Sequence, residues 1–182
     1  MLTGNAIVGQ SGGPTAAINA TLSGVIRGAL KAQAGGHIGT LYGMRNGVEG
    51  ILRKDYVNLT DLFGGDDKLL IDLEHTPAAA LGSCRKKLPA DPTDPLYDKL
   101  FVEFERLHIR YFFYIGGNDS MDTVSKLTKA SELRRYEMRI MGVPKTIDND
   151  LAGTDHTPGY GSAAKYIAVS IEEIIRDCSV YT

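Results

Sequence analysis

The chain has 182 residues, 43% of them hydrophobic and 23% charged, with a formal net charge of −2. That composition suits a globular domain with its own core and offers no basic field to draw nucleic acid. No stretch reaches the roughly 18 consecutive apolar residues of a membrane span, and the opening MLTGNAIVGQSGGP lacks the regions of a secretion signal.

In chain order, NAIVGQ reads as a short buried strand. A glycine turn, SGGPTAAIN, follows and leads into an amphipathic helix expected to begin near Pro14 or Thr15 and to stop at Gly35–Gly36. HIGTLYGM is a second strand. GVEGILRKDYVNLTDLFGG is mixed, with room for a short helix, and LEHTPAAALGSCRKKLP is loop-like. LPADPTDP has three prolines in eight residues and predicts an ordered surface connection. LYDKLFVEFERLHI has apolar residues at helical spacing, with His108 an ordinary residue at its end. RYFFYIGG is an aromatic core strand, SMDTVSKLTKASELRR a helix with Ser120 as N-cap, and MRIMGVP a strand ended by Pro144. YGSAAKYIAVSIEEIIRDC is a long helix, after which DCSVYT reads as the start of a further strand, as if the chain were part of something longer. The alternation of strands and helices predicts a single α/β domain, doubly wound, with a mostly parallel sheet and helices on both faces. Cys84 and Cys178 are far apart and read as reduced thiols. The four histidines have no zinc-site spacing.

In an open parallel sheet, ligands bind beyond the carboxyl ends of the strands. Three polar loops follow strands here: QSGGPTAAIN, IGGNDSMDT and VPKTIDNDLAGTD. They are expected to meet on one edge. In the first, Gly12 and Gly13 let an anion approach the backbone in front of a helix start, although an ordinary strand-to-helix turn would look the same. In the second, Asn118 and Asp119 beside Gly116 and Gly117 suggest a ligand or metal role, whereas Asp122 fits a helix-dipole partner. In the third, Lys145, Thr146, Asp148, Asn149 and Asp150 follow a strand end. A lysine can offset phosphate charge and an aspartate can take a proton from a hydroxyl, which together suit phosphoryl transfer. Arg85, Lys86 and Lys87 form either a solvated patch or a phosphate contact. GTDHTPGYGS is either a flexible substrate loop or a connection.

Together these motifs resemble the 6-phosphofructokinase family. IVGQSGGPTAAINATLSGVIRGAL matches its first strand, phosphate loop and helix; LGSCRKKL its second phosphate segment; IGGNDSMDT its GGDGS or GGDDS stretch; and PKTIDNDLAGTDHTPGYGSA its catalytic loop. The resemblance implies that residues 1–182 are the family's N-terminal α/β lobe, with the second lobe absent from this chain. It implies that Asp148 is the base for the C1 hydroxyl of fructose 6-phosphate, with Thr146 and Ile147 in the same sugar-binding segment. It implies that Gly13, Arg85, Gly117, Asn118, Asp119 and Ser120 hold the phosphoryl donor and Mg²⁺. Members that use ATP tend to have glycine where this chain has Asp119 and Lys145, so the resemblance implies a pyrophosphate-dependent enzyme. A carboxylate at 119 would repel the α-phosphate of ATP, and Lys145 would add positive charge near the transferred group. Asn118 stands where the family usually has a metal-binding aspartate. A cytoplasmic homo-oligomer, dimer or tetramer, is implied. The alternatives are an ATP-dependent phosphofructokinase, a non-catalytic regulatory subunit of that family and a dinucleotide binder, the last lacking GxGxxG.

Overall fold

Residues 2–64 and 67–181 are described by a computed structural model. Strands β1 (Gly4–Gln10), β2 (Ile38–Met44), β3 (Tyr56–Asn58), β4 (Ile109–Gly116) and β5 (Arg139–Pro144) form one sheet in the order β3-β2-β1-β4-β5. All neighbours are parallel except β3, which is antiparallel to β2.

The two-residue period of β1 divides the core. Ala6 and Val8 point to one face, where they meet Ile18, Leu22 and Ile26 of α1 (Ala17–Ala34), Leu59 of α3 (Leu59–Phe63) and Leu70 and Leu73 of α4 (Asp67–His75). Ile7 points to the other face, among Val48 and Ile51 of α2 (Val48–Arg53), Leu100, Phe101 and Phe104 of α5 (Pro95–Arg106) and Leu127 of α6 (Asn118–Leu133). Both faces are therefore covered, as the alternation of elements predicts. Helices α1, α3 and α4 lie on one face and α2, α5 and α6 on the other. The two sets of crossovers diverge beside β1, and the crevice this opens lies at the carboxyl ends of β1 and β4.

Four local expectations are corrected. Helix α1 starts at Ala17, not at Pro14 or Thr15, because Gly12, with φ of 78°, turns the chain and residues 13–16 are spent on completing that turn. Ser120 is not the N-cap of α6. Gly117 is, its carbonyl accepting from the amides of Ser120 and Met121, while Ser120 is buried against Gly116. Residues 67–75 form helix α4, where no helix was expected. Finally, α7 (Tyr160–Val180) continues through the segment that reads as a strand start. None of the residues of α7 is buried. Among the described residues no helix is long and apolar enough to cross a membrane, and both cysteines are unpaired.

Candidate active site

The pairing of β1, β4 and β5 continues past the strand ends and stitches the three loops together. The amide of Ser11 donates to Ile115 O at 2.9 Å, and the amide of Lys145 donates to Gly116 O at 3.0 Å. A fourth segment is held over the first loop: Ser11 Oγ donates to Cys84 O at 3.2 Å, and Ser83 Oγ donates to Gly12 O. Beneath it lies a buried amide network. Gln10 Nε2 donates to Ile18 O and Asn19 Oδ1, Gln10 Oε1 accepts from the Leu81 amide, and Asn19 reaches Thr76 O and the Ala80 amide. Two polar side chains inside apolar runs thus fix where residues 80–84 pass.

A cavity of about 480 Å³ results, lined by all three polar loops and by Cys84–Lys87. The predicted residues Gly13, Arg85, Gly117, Asn118, Asp119, Ser120, Lys145, Thr146, Ile147 and Asp148 all border it. Helix α6 begins at its wall, after Gly117, whereas α1 begins just beyond Thr15, the last residue of the first loop to line it. Neither has a side-chain N-cap bond. The Ser120 amide is spent on Gly117 O, which leaves the amides of Asn118 and Asp119 at the start of α6 to meet an anion. Gly13 has no protein atom within 4 Å of where a Cβ would stand, and Gly117 has only Lys145 O at 3.6 Å. Packing does not require glycine at either position. What the missing side chains leave open is the cavity itself.

Lys145 forms part of the floor. It is only 2% exposed, and its ammonium donates to Gly13 O. Burial pulls its pKa below the usual lysine value, and the Asp148 carboxylate partly opposes this. Thr146 is buried beneath the catalytic-loop candidate. Its amide donates to Pro158 O at 2.9 Å, and its carbonyl accepts from Thr157 Oγ1 at 2.9 Å. Asn149, at φ of 54°, holds the loop closed through Asp155 O and the Thr157 amide. Residues 153–159 are therefore an ordered connection strapped to the loop. Ile147 and Asp148 are exposed, and the Asp148 carboxylate makes no hydrogen bond or ion pair among the described residues.

At the rim, Asp119 pairs with Lys87 at 3.2 Å, and Asn118 Nδ2 donates to Asp150 Oδ2. Arg85 and Lys86 line the cavity without ion-pair partners among the described residues. The segment GSCRKKL thus turns its basic side chains toward the cavity as well as toward solvent. Asp122 lies beyond the first turn of α6 and pairs with Lys126 at 2.7 Å, so it is an ion-pair partner one turn along the helix and not the helix-dipole partner expected. The sequence reading missed Ser11, Ser83 and the Gln10–Asn19 network. The only signal for that network was an amide at the end of an apolar strand and another on a buried helix face. Among the described residues no three carboxylate, histidine or cysteine side chains are grouped to hold a metal ion.

Residues 5–180 match the family model described as Phosphofructokinase. The chain is 45% identical over 174 residues to a pyrophosphate–fructose 6-phosphate 1-phosphotransferase of Halomonas elongata, covering 95% of this chain and 40% of that protein. It is 45% identical over 178 residues to the protein of that name in Methylococcus capsulatus, covering 97% of this chain and 41% of that one. Among solved structures, a pyrophosphate-dependent phosphofructokinase from Nitrosospira multiformis superposes with a TM-score of 0.84 at 44% identity, over 96% of this chain and 42% of its own. The chain spans about two fifths of the length of the curated relatives it matches.

Proposed function

The chain belongs to the phosphofructokinase family, and from that premise we propose that it supplies the donor-binding and catalytic side of an enzyme that moves a phosphoryl group from pyrophosphate to the C1 hydroxyl of fructose 6-phosphate. In this reading residues 1–182 are the N-terminal α/β lobe. The observation that carries it is the exposed Asp148 carboxylate, without a hydrogen bond or ion pair, at a cavity that has the Lys145 ammonium in its floor and the uncapped start of α6 at its wall.

Phosphoryl transfer asks mainly for positioning and for charge to be offset. The backbone of the first loop and the amides at the start of α6, with Arg85, Lys86 and Lys145, would hold the donor. Asp148 would accept the proton of the C1 hydroxyl as the C1 oxygen bonds to phosphorus. The bridging P–O bond breaks, and orthophosphate leaves. Thr146 and Ile147 would border the sugar. Lys145 favours pyrophosphate because its ammonium lies directly below the first loop, where charge develops on the leaving group. Asp119 favours it too, since a third phosphate and its nucleoside would have to pass this carboxylate. The names of the relatives agree with that donor.

Mg²⁺ is the cofactor in this reading. Asn118 and Asp150 are adjacent across the rim and bring one amide and one carboxylate. That set fits a cation that takes its other ligands from phosphate oxygens and water. When bound it would offset donor charge. The same reading carries a cytoplasmic homo-oligomer.

The test is a donor exchange on the full-length polypeptide that carries this sequence, with Mg²⁺ and fructose 6-phosphate. Turnover is expected with pyrophosphate and not with ATP. Comparable turnover with ATP would overturn the donor assignment, and none with either donor would remove the enzyme reading. Asp148→Ser is expected to lower kcat by ~10²–10⁴ while the KM for the sugar phosphate changes far less. An unchanged kcat would take the role of base from Asp148.

A further inference from the structure

At the opposite end of the sheet, where β4 and β5 begin, a second cavity of about 670 Å³ opens. Along β4, eight residues from Ile109 to Gly116, it stands on the order of 20 Å from the cavity described above. Arg110 on β4, Arg135 just beyond α6 and Arg139 on β5 all line it, and Glu137 is the one carboxylate in its lining. Three positive charges therefore face one negative charge.

The state of each guanidinium differs. Arg139 pairs with Glu137 at 3.3 Å. Arg110 donates to Glu137 O at 2.9 Å and lies 4.6 Å from the centre of the Tyr136 ring, so its fork is held in one orientation. The Arg135 side chain has no partner among the described residues. An arginine beyond a helix end commonly serves the last carbonyls of that helix. Here those carbonyls are already met. The amides of Arg134, Tyr136 and Arg135 donate to the carbonyls of Ala130, Ser131 and Glu132, and the Arg134 side chain also reaches Ala130 O. Arg135, at φ of 51°, is left facing the cavity.

Planar guanidinium forks converging from three chain segments match the several oxygens of a phosphate group, which accepts paired N–H donors from more than one arginine. We infer that this basal cavity is a second anion site that binds a compact phosphate group, carried either by a small phosphoester or by a free inorganic phosphate. Glu137 does not oppose this. An incoming phosphate takes over Arg139 while the Glu137 backbone carbonyl keeps Arg110 in place.

Equilibrium dialysis of radiolabelled pyrophosphate against the full-length polypeptide is the test. Two equivalents per chain are expected. Arg135→Glu with Arg139→Glu weakens one of them at least tenfold and leaves turnover unchanged, whereas Arg85→Glu weakens the other. Both basal substitutions are at exposed positions, and Arg135→Gln alone provides a milder version in which unchanged turnover reports an intact fold. Dialysis with inorganic phosphate and with glycerol 3-phosphate, each on the Arg85→Glu background, identifies the source from whichever binds tighter. A single equivalent in the unmodified protein, or two undiminished equivalents in the Arg135→Glu, Arg139→Glu variant, overturns the inference.

Discussion

Lys145 combines an ionisable head with near-complete burial, and its one hydrogen-bonded partner is a backbone carbonyl of another loop. Because its folded pKa is lowered, the unfolded chain holds the proton over a range of pH in which the folded chain has lost it. Burial therefore costs stability at neutral and lower pH, and the cost fades as pH rises through the folded value toward the ordinary 10.5. Lys145→Met is expected to raise stability most at neutral pH, with the gain closing at high pH, as read by urea unfolding across the range. The same variant should lose about 10²–10³ in kcat, the effect of removing one charge-stabilising donor. The glycines separate function from packing. Gly13→Ala meets no protein atom and should leave Tm almost unchanged while raising the KM for the donor. Gly116→Ala would put a Cβ 1.9 Å from Ser120 Oγ and 3.0 Å from Ser11 O, and thermal melting should show a loss of about 1–3 kcal/mol. At this scale, the meeting of Lys145, Asp148 and the open glycines at one cavity was legible in the sequence, because these types have few reasons to cluster beyond a strand. It did not show that Asn149 clasps its own loop rather than facing the cavity. A single asparagine serves either purpose, and only the φ of 54° decides.

At the scale of elements, the segment carrying Arg85 has no strand or helix of its own across residues 76–94. Its course depends on Gln10 and Asn19. Gln10→Leu would strand the Leu81 amide in the core and leave Asn19 Oδ1 with the Ala80 amide alone. A loss of about 1–3 kcal/mol is expected by chemical denaturation. Donor affinity should weaken with it, since Arg85 would lose its footing; an unchanged donor KM would show that the network does not hold that segment. Elements with a strong period were legible in the sequence. Helix α5 is one, with Asp94 capping the Leu96 amide at 2.8 Å and Pro95 opening the first turn. Helix α4 was not, because it buries only Leu70 and Leu73 over nine residues, too few for a helical stripe to stand out. The end of α7 was misread for a related reason. Val180 and Tyr181 suggest a strand, yet neither is buried and the preceding helix simply runs on.

For the whole molecule, the sheet divides two apolar cores, and β1 contributes to both. The parallel topology followed from the rhythm of the elements. The antiparallel β3 did not, being three residues within a mixed stretch. Helix α7 belongs to neither core, with Ile167, Ile171, Ile174 and Ile175 all more than half exposed. Helices in water owe most of their stability to packing. In the 182-residue polypeptide, hydrogen exchange should therefore be fast along α7 and slow along β1 and β4; protection of α7 equal to that of β1 would contradict this. The three loops hang from strands whose pairing holds as far as Gln10, Gly116 and Pro144, so loop residues can change while the register below is kept. Asp119 stands on the rim, and Lys145 lies under the floor. A lineage altering its phosphoryl donor would thus meet two unequal steps. Exchange at the exposed rim would disturb little around it and leave the reverse change open. Exchange at the floor empties a position that neighbouring segments lean on, so its descendants would tend to accumulate compensating changes and lose the way back.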